Sequence, residues 1–222
     1  MNHNIIHYTG TASLIIQVIA TIIDTFVLTI ATDPKNQEIK KLLAIENVVN
    51  IVELTFYVWM VTNFKTIQNI TKYRYYDWAL TTPTMLFTYS MYMLINQKKD
   101  NGEAHDLWTL VMNEKYILAG IFLLDWSMLY FGYMSETGEM DTKIAVFLGF
   151  IPFVLMFYVI YENYAKHTSI GNQTFIYFAV VWGLYGFAAL MSYKAKNVLY
   201  NILDLFSKNF FALFLAYMVV FR

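Results

Sequence analysis

The sequence predicts an all-α fold in which seven transmembrane helices form one bundle. Of its 222 residues, 58% are hydrophobic and only 14% are charged, whereas soluble domains average about 25% charged residues. Three prolines and nine glycines suit long helices better than the many turns of a barrel. Seven apolar runs are each long enough to cross a hydrocarbon core of about 30 Å, which takes about 20 helical residues.

The predicted spans follow one another along the whole chain. They are 12–32, 42–62, 75–95, 116–134, 144–164, 174–193 and 198–221. The first lacks the basic region and cleavage site of a removable signal, so we expect it to stay.

The polar connections between the spans are short. Those at 33–41, 96–106, 135–143 and 194–197 leave no room for a second domain, so we expect residues 1–222 to form a single domain. Segment 96–115 is longer and partly amphiphilic, which predicts a loop that lies on the membrane surface or binds a partner.

Charge and composition exclude several classes of protein. The net charge of −1 provides no basic face for nucleic acid, so the expected partner is the lipid bilayer. The chain has no cysteine, which excludes disulfides and thiol chemistry. His3, His7, His105 and His167 lie in polar stretches without ligand spacing, so we expect no metal site.

The basic residues of the connections predict the orientation. With the N-terminus outside, eight Lys and Arg fall on the cytoplasmic side and five on the outer side. Because cytoplasmic loops carry the excess of Lys and Arg, this distribution predicts an outer N-terminus and a cytoplasmic C-terminus.

Ionisable residues at membrane depth are the most informative feature of the sequence. Each costs about 2.5–3.5 kcal/mol at the centre of a span, so such residues should face one another or water. Asp24 alone is expected to snorkel to an interface. The complete set is Asp24, Glu46, Glu53, Arg74, Asp77, Asp125, Asp204 and Lys208.

Lys208 lies midway along the last span and therefore needs acidic partners. Asp204 precedes it by four residues, which places both on one helix face. Arg74 and Asp77 on the third span can complete the cluster. A buried amine is a good nucleophile towards an aldehyde and can form a Schiff base. The alternative is a structural salt-bridge cluster without a chromophore.

The second span carries acids and amides on one face. Glu46, Asn50 and Glu53 follow i, i+4, i+7 spacing and extend over about 10 Å. Such a row can line a cation path, although it can also be interhelical hydrogen bonding worth about 0.6 kcal/mol per bond. Polar residues that match it on spans one and seven are Ser13, Gln17, Asn201 and Asn209.

Two motifs identify a family resemblance. Residues 74–83, RYYDWALTTP, are similar to the third-helix signature of microbial rhodopsins, and residues 204–208, DLFSK, to their seventh-helix signature. The resemblance covers nearly the whole chain. It implies all-trans-retinal in the core of the bundle, bound to Lys208 as a protonated Schiff base. Asp77 and Asp204 are then the counterions and proton acceptor, and Arg74 organises them.

The resemblance also implies a retinal pocket. In it, Asp125 lies within hydrogen-bond reach of Thr82, and Trp78 and Trp182 enclose the polyene from opposite sides. The pocket residues are Tyr75, Trp78, Thr81, Thr82, Met85, Asp125, Met128, Gly132, Trp182, Tyr185 and Ser207. One departure is Gly186, where the family usually has proline after the tyrosine.

The transport mode is predicted from what the third span contains and lacks. Asp77 stands at the acceptor position of proton pumps, but Thr88 replaces their carboxylate donor, and chloride and sodium pumps alter the acceptor itself. With the second-span acids, the chain resembles the small viral rhodopsins of large algal viruses, especially their light-gated cation-channel group. We expect a non-enzymatic, homo-oligomeric channel for monovalent cations or protons; the alternatives are an outward proton pump and a photosensor.

Overall fold

Seven helices, joined by short connections, make up nearly all of the computed structural model, which describes residues 4–103 and 106–221. His3, His105 and Arg222, which enter the predictions above, lie outside this part. The all-α prediction is confirmed. The helices are α1 Asn4–Thr29, α2 Gln37–Thr62, α3 Ile70–Asp100, α4 Leu107–Thr137, α5 Thr142–Asn163, α6 Ser169–Ala189 and α7 Tyr193–Phe221.

The helices form a closed ring in chain order. Each contacts the next, and α7 returns to pack against both α1 and α2. We call the end of the bundle where α1 and α7 begin the N-terminal side, and the opposite end the C-terminal side. Because the connections are short, α2, α4 and α6 end on the N-terminal side, whereas α3, α5 and α7 begin there.

Capping residues make the helices longer than the predicted spans. Asn69 caps α3 by accepting from the Lys72 N–H, and Asp106 caps α4 by accepting from the Thr109 N–H. Together with Lys41, this Thr109 bond lowers the pKa of the exposed Asp106 carboxyl. Gly138 ends α4 at a φ of 79°, in the left-handed region that glycine tolerates. The loop predicted at 96–115 is wrong, because α3 continues to Asp100 and α4 begins at Leu107.

The outer surface of the bundle is apolar, as a lipid-facing surface must be. Large side chains such as Phe26, Leu80 and Phe147 are exposed outwards. Among the described residues, five helices, all except α3 and α6, are long and apolar enough by themselves to cross a membrane. The helix α3 is more polar because most of its side chains face the interior of the bundle.

The helix α7 changes its winding in the middle. Residues Leu205–Asn209 form a π-helical turn between two α-helical halves, Tyr193–Asp204 and Phe210–Phe221. Turns of this kind are rare and occur often at functional sites. Lys208 lies within this turn, so its direction does not follow from regular α-helical spacing.

Candidate functional site

All eight ionisable residues predicted at membrane depth lie inside the bundle, none more than 6% exposed. The expectation that Asp24 snorkels to an interface is wrong. Asp24 is 0% exposed and accepts a hydrogen bond from Asn50 Nδ2 at 2.9 Å. Six of the eight are acids and only two are bases, so the interior contains more potential negative charge than positive.

Lys208 is the centre of the first cluster. Its Nζ donates to Asp77 Oδ2 at 2.7 Å and lies 3.5 Å from Glu53 Oε1. The pairing with Asp77 across the bundle agrees with the sequence prediction. Glu53 was predicted in the cation path and not beside the amine. The three residues come from α2, α3 and α7, so the cluster joins three helices.

Asp204 belongs to a second cluster, which lies closer to the N-terminal side of the bundle. Tyr57 and Tyr185 each donate their hydroxyl to Asp204 at 2.7 Å, and Arg74 Nη1 donates at 3.0 Å. The predicted direct pairing of Asp204 with Lys208 is therefore replaced by this network. The physical reason is the π-helical turn that begins after Asp204 and re-aims the lysine.

Arg74 is fully buried and satisfied by partners on three sides. Its Nη2 donates to Asn201 Oδ1, and its Nε donates to Asn197 Oδ1 at 3.3 Å. The guanidinium carbon also lies 5.5 Å from the Tyr57 ring centre, a cation–π distance. These contacts tie α3 to α2 and α7, and the role of Arg74 in organising the counterions stays a prediction.

An apolar pocket opens beside Lys208 towards α4, α5 and α6. Of the eleven predicted pocket residues, nine line it, and the other two lie behind its wall: Thr81 donates to the Asp77 carbonyl, and Asp125 accepts from Thr82 at 2.7 Å. That last hydrogen bond was predicted. The nine lining residues are Tyr75, Trp78, Thr82, Met85, Met128, Gly132, Trp182, Tyr185 and Ser207.

The pocket fits a long apolar aldehyde such as retinal. Lys208 supplies an amine at one end, and rings and small residues supply apolar walls along the rest. A Cβ added at Gly132 would lie 2.8 Å from Tyr75 Cε1, so glycine keeps this wall open. Gly186, the departure from the family pattern, also lies against an aromatic ring. A Cβ at this position would lie 2.6 Å from the Phe150 ring.

The fifth helix contributes pocket residues that the sequence analysis missed. Ala145, Gly149, Phe150 and Phe153 all line the pocket. Apart from Glu162 and Asn163 near its end, their span is apolar, so no polar residue marked its inner face. The spacing of Ala145 and Gly149, two small residues one turn apart, is the signal that could have indicated a face packed closely against a ligand.

Buried polar side chains of α1, α2 and α7 lie on both sides of Lys208, and we call them the polar column. On the C-terminal side, Asn209 donates to Asn50 at 3.1 Å, and Asn50 donates to Asp24. On the N-terminal side, Gln17 donates to Ser13 at 3.4 Å, and Ser13 donates to the Asn201 carbonyl at 2.8 Å. All seven residues predicted for the cation path are buried along this column: Ser13, Gln17, Glu46, Asn50, Glu53, Asn201 and Asn209.

Within the described part of the chain, several oxygen atoms of this column accept no hydrogen bond from a protein group. They include Gln17 Oε1, Asp24 Oδ1, Glu46 Oε2, Glu53 Oε2 and Asn209 Oδ1, whereas Glu53 Oε1 is paired with Lys208. Burying an unpaired polar atom is costly. This number of unpaired oxygen atoms is therefore unusual for a column that only holds helices together. Carboxyl and amide oxygens along such a column are suited to receive protons or cations.

These features define a class: a seven-helix membrane protein with a buried lysine, its carboxylate partners and an apolar pocket. The bacteriorhodopsin-like family model matches residues 8–221. The chain therefore belongs to this family, the microbial rhodopsins, whose chromophore is retinal, and it is an integral, multi-pass membrane protein.

Solved structures agree with this assignment. A viral rhodopsin, OLPVRII, is 25% identical with a TM-score of 0.84, covering 97% of each chain. The proton-pumping rhodopsin AR2 from Acetabularia acetabulum is 18% identical, with a TM-score of 0.73 over 98% of this chain and 95% of that one. Halorhodopsin, a light-driven chloride pump, is 15% identical, with a TM-score of 0.72 over 99% and 96%. No curated protein sequence matches the chain significantly.

Proposed function

We propose that this protein is a light-gated cation channel that holds all-trans-retinal at Lys208. The observation that carries the proposal is the buried polar column between α1, α2 and α7, with its unpartnered oxygens. A pump needs acids at a few points along a proton route, whereas a passive path for cations needs oxygens along its length. Monovalent cations and protons are the ions that this column suits.

The pocket residues support retinal at this position. The Lys208 amine is the attachment point for the Schiff-base linkage, while Trp78 and Trp182 bound the pocket and Gly132 leaves room at its wall. When bound, retinal supplies light absorption and isomerisation. Asp77 and Glu53 then compensate the positive charge at the Lys208 nitrogen.

Gating follows from how the two charged clusters are joined. In the dark, Lys208 holds Asp77 and Glu53, and Arg74 holds Asp204 and Asn201. When the Lys208 nitrogen moves or gives its proton to Asp77, the attraction that joins α2, α3 and α7 weakens. Water and cations then enter the column and pass Glu53 and Glu46.

A light-driven outward proton pump is the second candidate, and the Asp77–Lys208 contact favours it. At 2.7 Å, Asp77 is placed to accept the proton of the Lys208 nitrogen. Reprotonation would then come from bulk solvent or with the help of Glu53. The chloride-pump alternative is weaker because it requires a neutral or polar residue in place of Asp77.

The remaining parts of the proposal concern placement in the membrane. The excess of Lys and Arg in the connections on the C-terminal side supports an outer N-terminus and a cytoplasmic C-terminus. The family resemblance supports a homo-oligomer.

Proteoliposomes loaded with retinal distinguish the two candidates. Without an ion gradient, a pump changes the internal pH under light, whereas a channel leaves it unchanged. With a potassium gradient, a channel releases potassium faster under light. We expect light to speed the release of potassium and to leave the internal pH unchanged without a gradient. A light-driven pH change without a gradient would support the pump instead. Lys208→Ala liposomes are the control, since that protein should form no visible pigment.

A further inference from the structure

A hydrogen bond between α6 and the backbone of α7 has no part in the gating scheme above. The Tyr177 hydroxyl on α6 donates to the Phe206 carbonyl at 2.6 Å. Phe206 lies in the π-helical turn Leu205–Asn209, two residues before Lys208. A side chain of α6 is therefore bonded directly to the backbone turn that carries the lysine.

The winding of this turn explains why the Phe206 carbonyl is available to a side-chain hydroxyl. In a regular α-helix, the Phe210 N–H would donate to the Phe206 carbonyl, four residues earlier. Here the Phe210 N–H donates to the Leu205 carbonyl, five residues earlier. The π-helical turn thus passes over the Phe206 carbonyl, and the Tyr177 hydroxyl takes the place of the backbone donor.

The surroundings of this hydrogen bond make it hard to replace. Tyr177 is 38% exposed and Phe206 is 41% exposed, so both reach the outer surface of the bundle. Hydrocarbon offers no water to pair with a hydroxyl or a carbonyl, so each group is costly there without its partner. The Phe206 carbonyl can therefore leave Tyr177 only for another donor, and the Phe210 N–H is the one that an α-helical turn supplies.

A second tyrosine holds α6 to α7 in a different way. The Tyr185 hydroxyl donates to Asp204 at 2.7 Å and lies 2.9 Å from the Ser207 hydroxyl. These contacts are made to side chains, whereas Tyr177 bonds to the backbone itself. Of the two tyrosines, only Tyr177 competes with a helical N–H for its acceptor.

From these contacts we propose that Tyr177 is a positioning residue for Lys208, because it holds the turn of α7 in its π-helical form in the dark. When the Lys208 nitrogen moves under light, the turn rewinds to the α-helical form, and the Phe210 N–H pairs with the Phe206 carbonyl. Tyr177 then loses its acceptor, and α6 is released from this turn. The inference goes beyond the proposed transport mode, since it holds for a channel and for a pump alike.

The sequence allows the Phe206 carbonyl to be observed by itself. Phe206–Ser207 is the only place in the chain where serine follows phenylalanine. In the full-length pigment labelled with carbonyl-¹³C phenylalanine and ¹⁵N serine, solid-state NMR therefore gives one directly bonded carbonyl–amide signal. We expect this signal to shift in Tyr177→Phe, which removes the hydroxyl and keeps the ring. We expect it to shift in the parent protein under light as well.

Flash kinetics provide a second readout. Without the Tyr177 hydrogen bond, the dark form of the turn is less stable. We therefore expect the return to the dark state to slow about fivefold in Tyr177→Phe, the factor that one net hydrogen bond contributes. Tyr217→Phe removes an exposed tyrosine hydroxyl from α7. It is the matched control and should keep both the NMR signal and the rate. The visible pigment band reports that each variant is folded.

A further variant keeps the donor and changes only its chemistry. In para-aminophenylalanine, an N–H group stands where Tyr177 has its hydroxyl, so this replacement should restore the rate that Tyr177→Phe loses. An unchanged Phe206 signal or an unchanged rate in Tyr177→Phe would overturn the inference, as would equal effects in Tyr217→Phe. None of these readouts measures ion transport, so the inference can fail while the proposed channel stands.

Discussion

Glu53 Oε1 lies 3.5 Å from Lys208 Nζ, so a second carboxylate, on a different helix from Asp77, faces the same amine. Both acids lower the energy of a positive charge at this nitrogen. The closer acid, Asp77 at 2.7 Å, has the stronger Coulomb interaction. Lys208 is thus compensated from α2 and α3, while the acid on its own helix is held by Arg74.

The two carboxylates should tune the colour of the pigment unequally. Light moves positive charge away from the Lys208 nitrogen, so removing a nearby carboxylate lowers the excitation energy. We expect red-shifted absorption in both Asp77→Asn and Glu53→Gln, with the larger shift in Asp77→Asn. Absorption spectra of the reconstituted proteins provide the measurement. A spectrum unchanged in Glu53→Gln would show that Glu53 does not face the chromophore.

The Arg74 cluster should be essential for stability. Removing one partner of a buried ion pair costs about 3–5 kcal/mol, and a hydrogen bond to a charged group contributes about 1.5–3 kcal/mol. We therefore expect Arg74→Gln to lower the temperature of thermal bleaching strongly and Tyr57→Phe to lower it by less. Tyr76→Phe is the matched control, because Tyr76 is exposed and its hydroxyl is hydrogen-bonded to the Tyr133 hydroxyl. Equal effects in Tyr57→Phe and Tyr76→Phe would contradict this ranking.

Gly132 should determine whether the pocket accepts retinal. A Cβ at this position would lie 2.8 Å from Tyr75 Cε1, so alanine must displace this ring, which lines the pocket. We expect Gly132→Ala to yield less pigment, or pigment formed more slowly, when retinal is added to the apoprotein. Gly120→Ala on the same helix is the control, because nothing lies within 4 Å of its added Cβ. If both variants regenerate pigment like the parent protein, the wall at Gly132 is not limiting.

The proposed orientation can be tested by labelling because the chain has no cysteine. Lys35 and Lys65 are both exposed and lie in connections on opposite sides of the bundle. We expect an impermeant maleimide to label Lys65→Cys on intact cells and Lys35→Cys only after permeabilisation. The reverse pattern would place the N-terminus in the cytoplasm.

The sequence predicts those parts of the site that depend on residue type and helix periodicity. Lys208 and Asp77 stood out because charges are costly in a span, and Thr82 and Asp125 were matched through the family motifs. The π-helical turn could not be predicted, since it is a backbone irregularity, and it moves Lys208 away from Asp204 towards Glu53.

Two further contacts depend on packing and therefore escaped the sequence analysis. Lys196 and Glu136, both expected in connections, lie within α7 and α4 and form a nearly buried ion pair. Their helices extend beyond the apolar spans, and a span count based on hydrophobicity cannot detect this. The burial of Asp24 also escaped the sequence analysis, because its hydrogen-bond partner Asn50 lies on another helix.

The most direct test of the central claim is the photocurrent of the full-length protein under voltage clamp. For a channel selective for monovalent cations, the current should reverse sign with voltage. A tenfold dilution of the external cation at constant pH should then move the reversal potential by up to about 59 mV, the value for a single charge. A photocurrent that stays outward at every voltage and does not respond to the cation gradient would contradict the channel and support the pump.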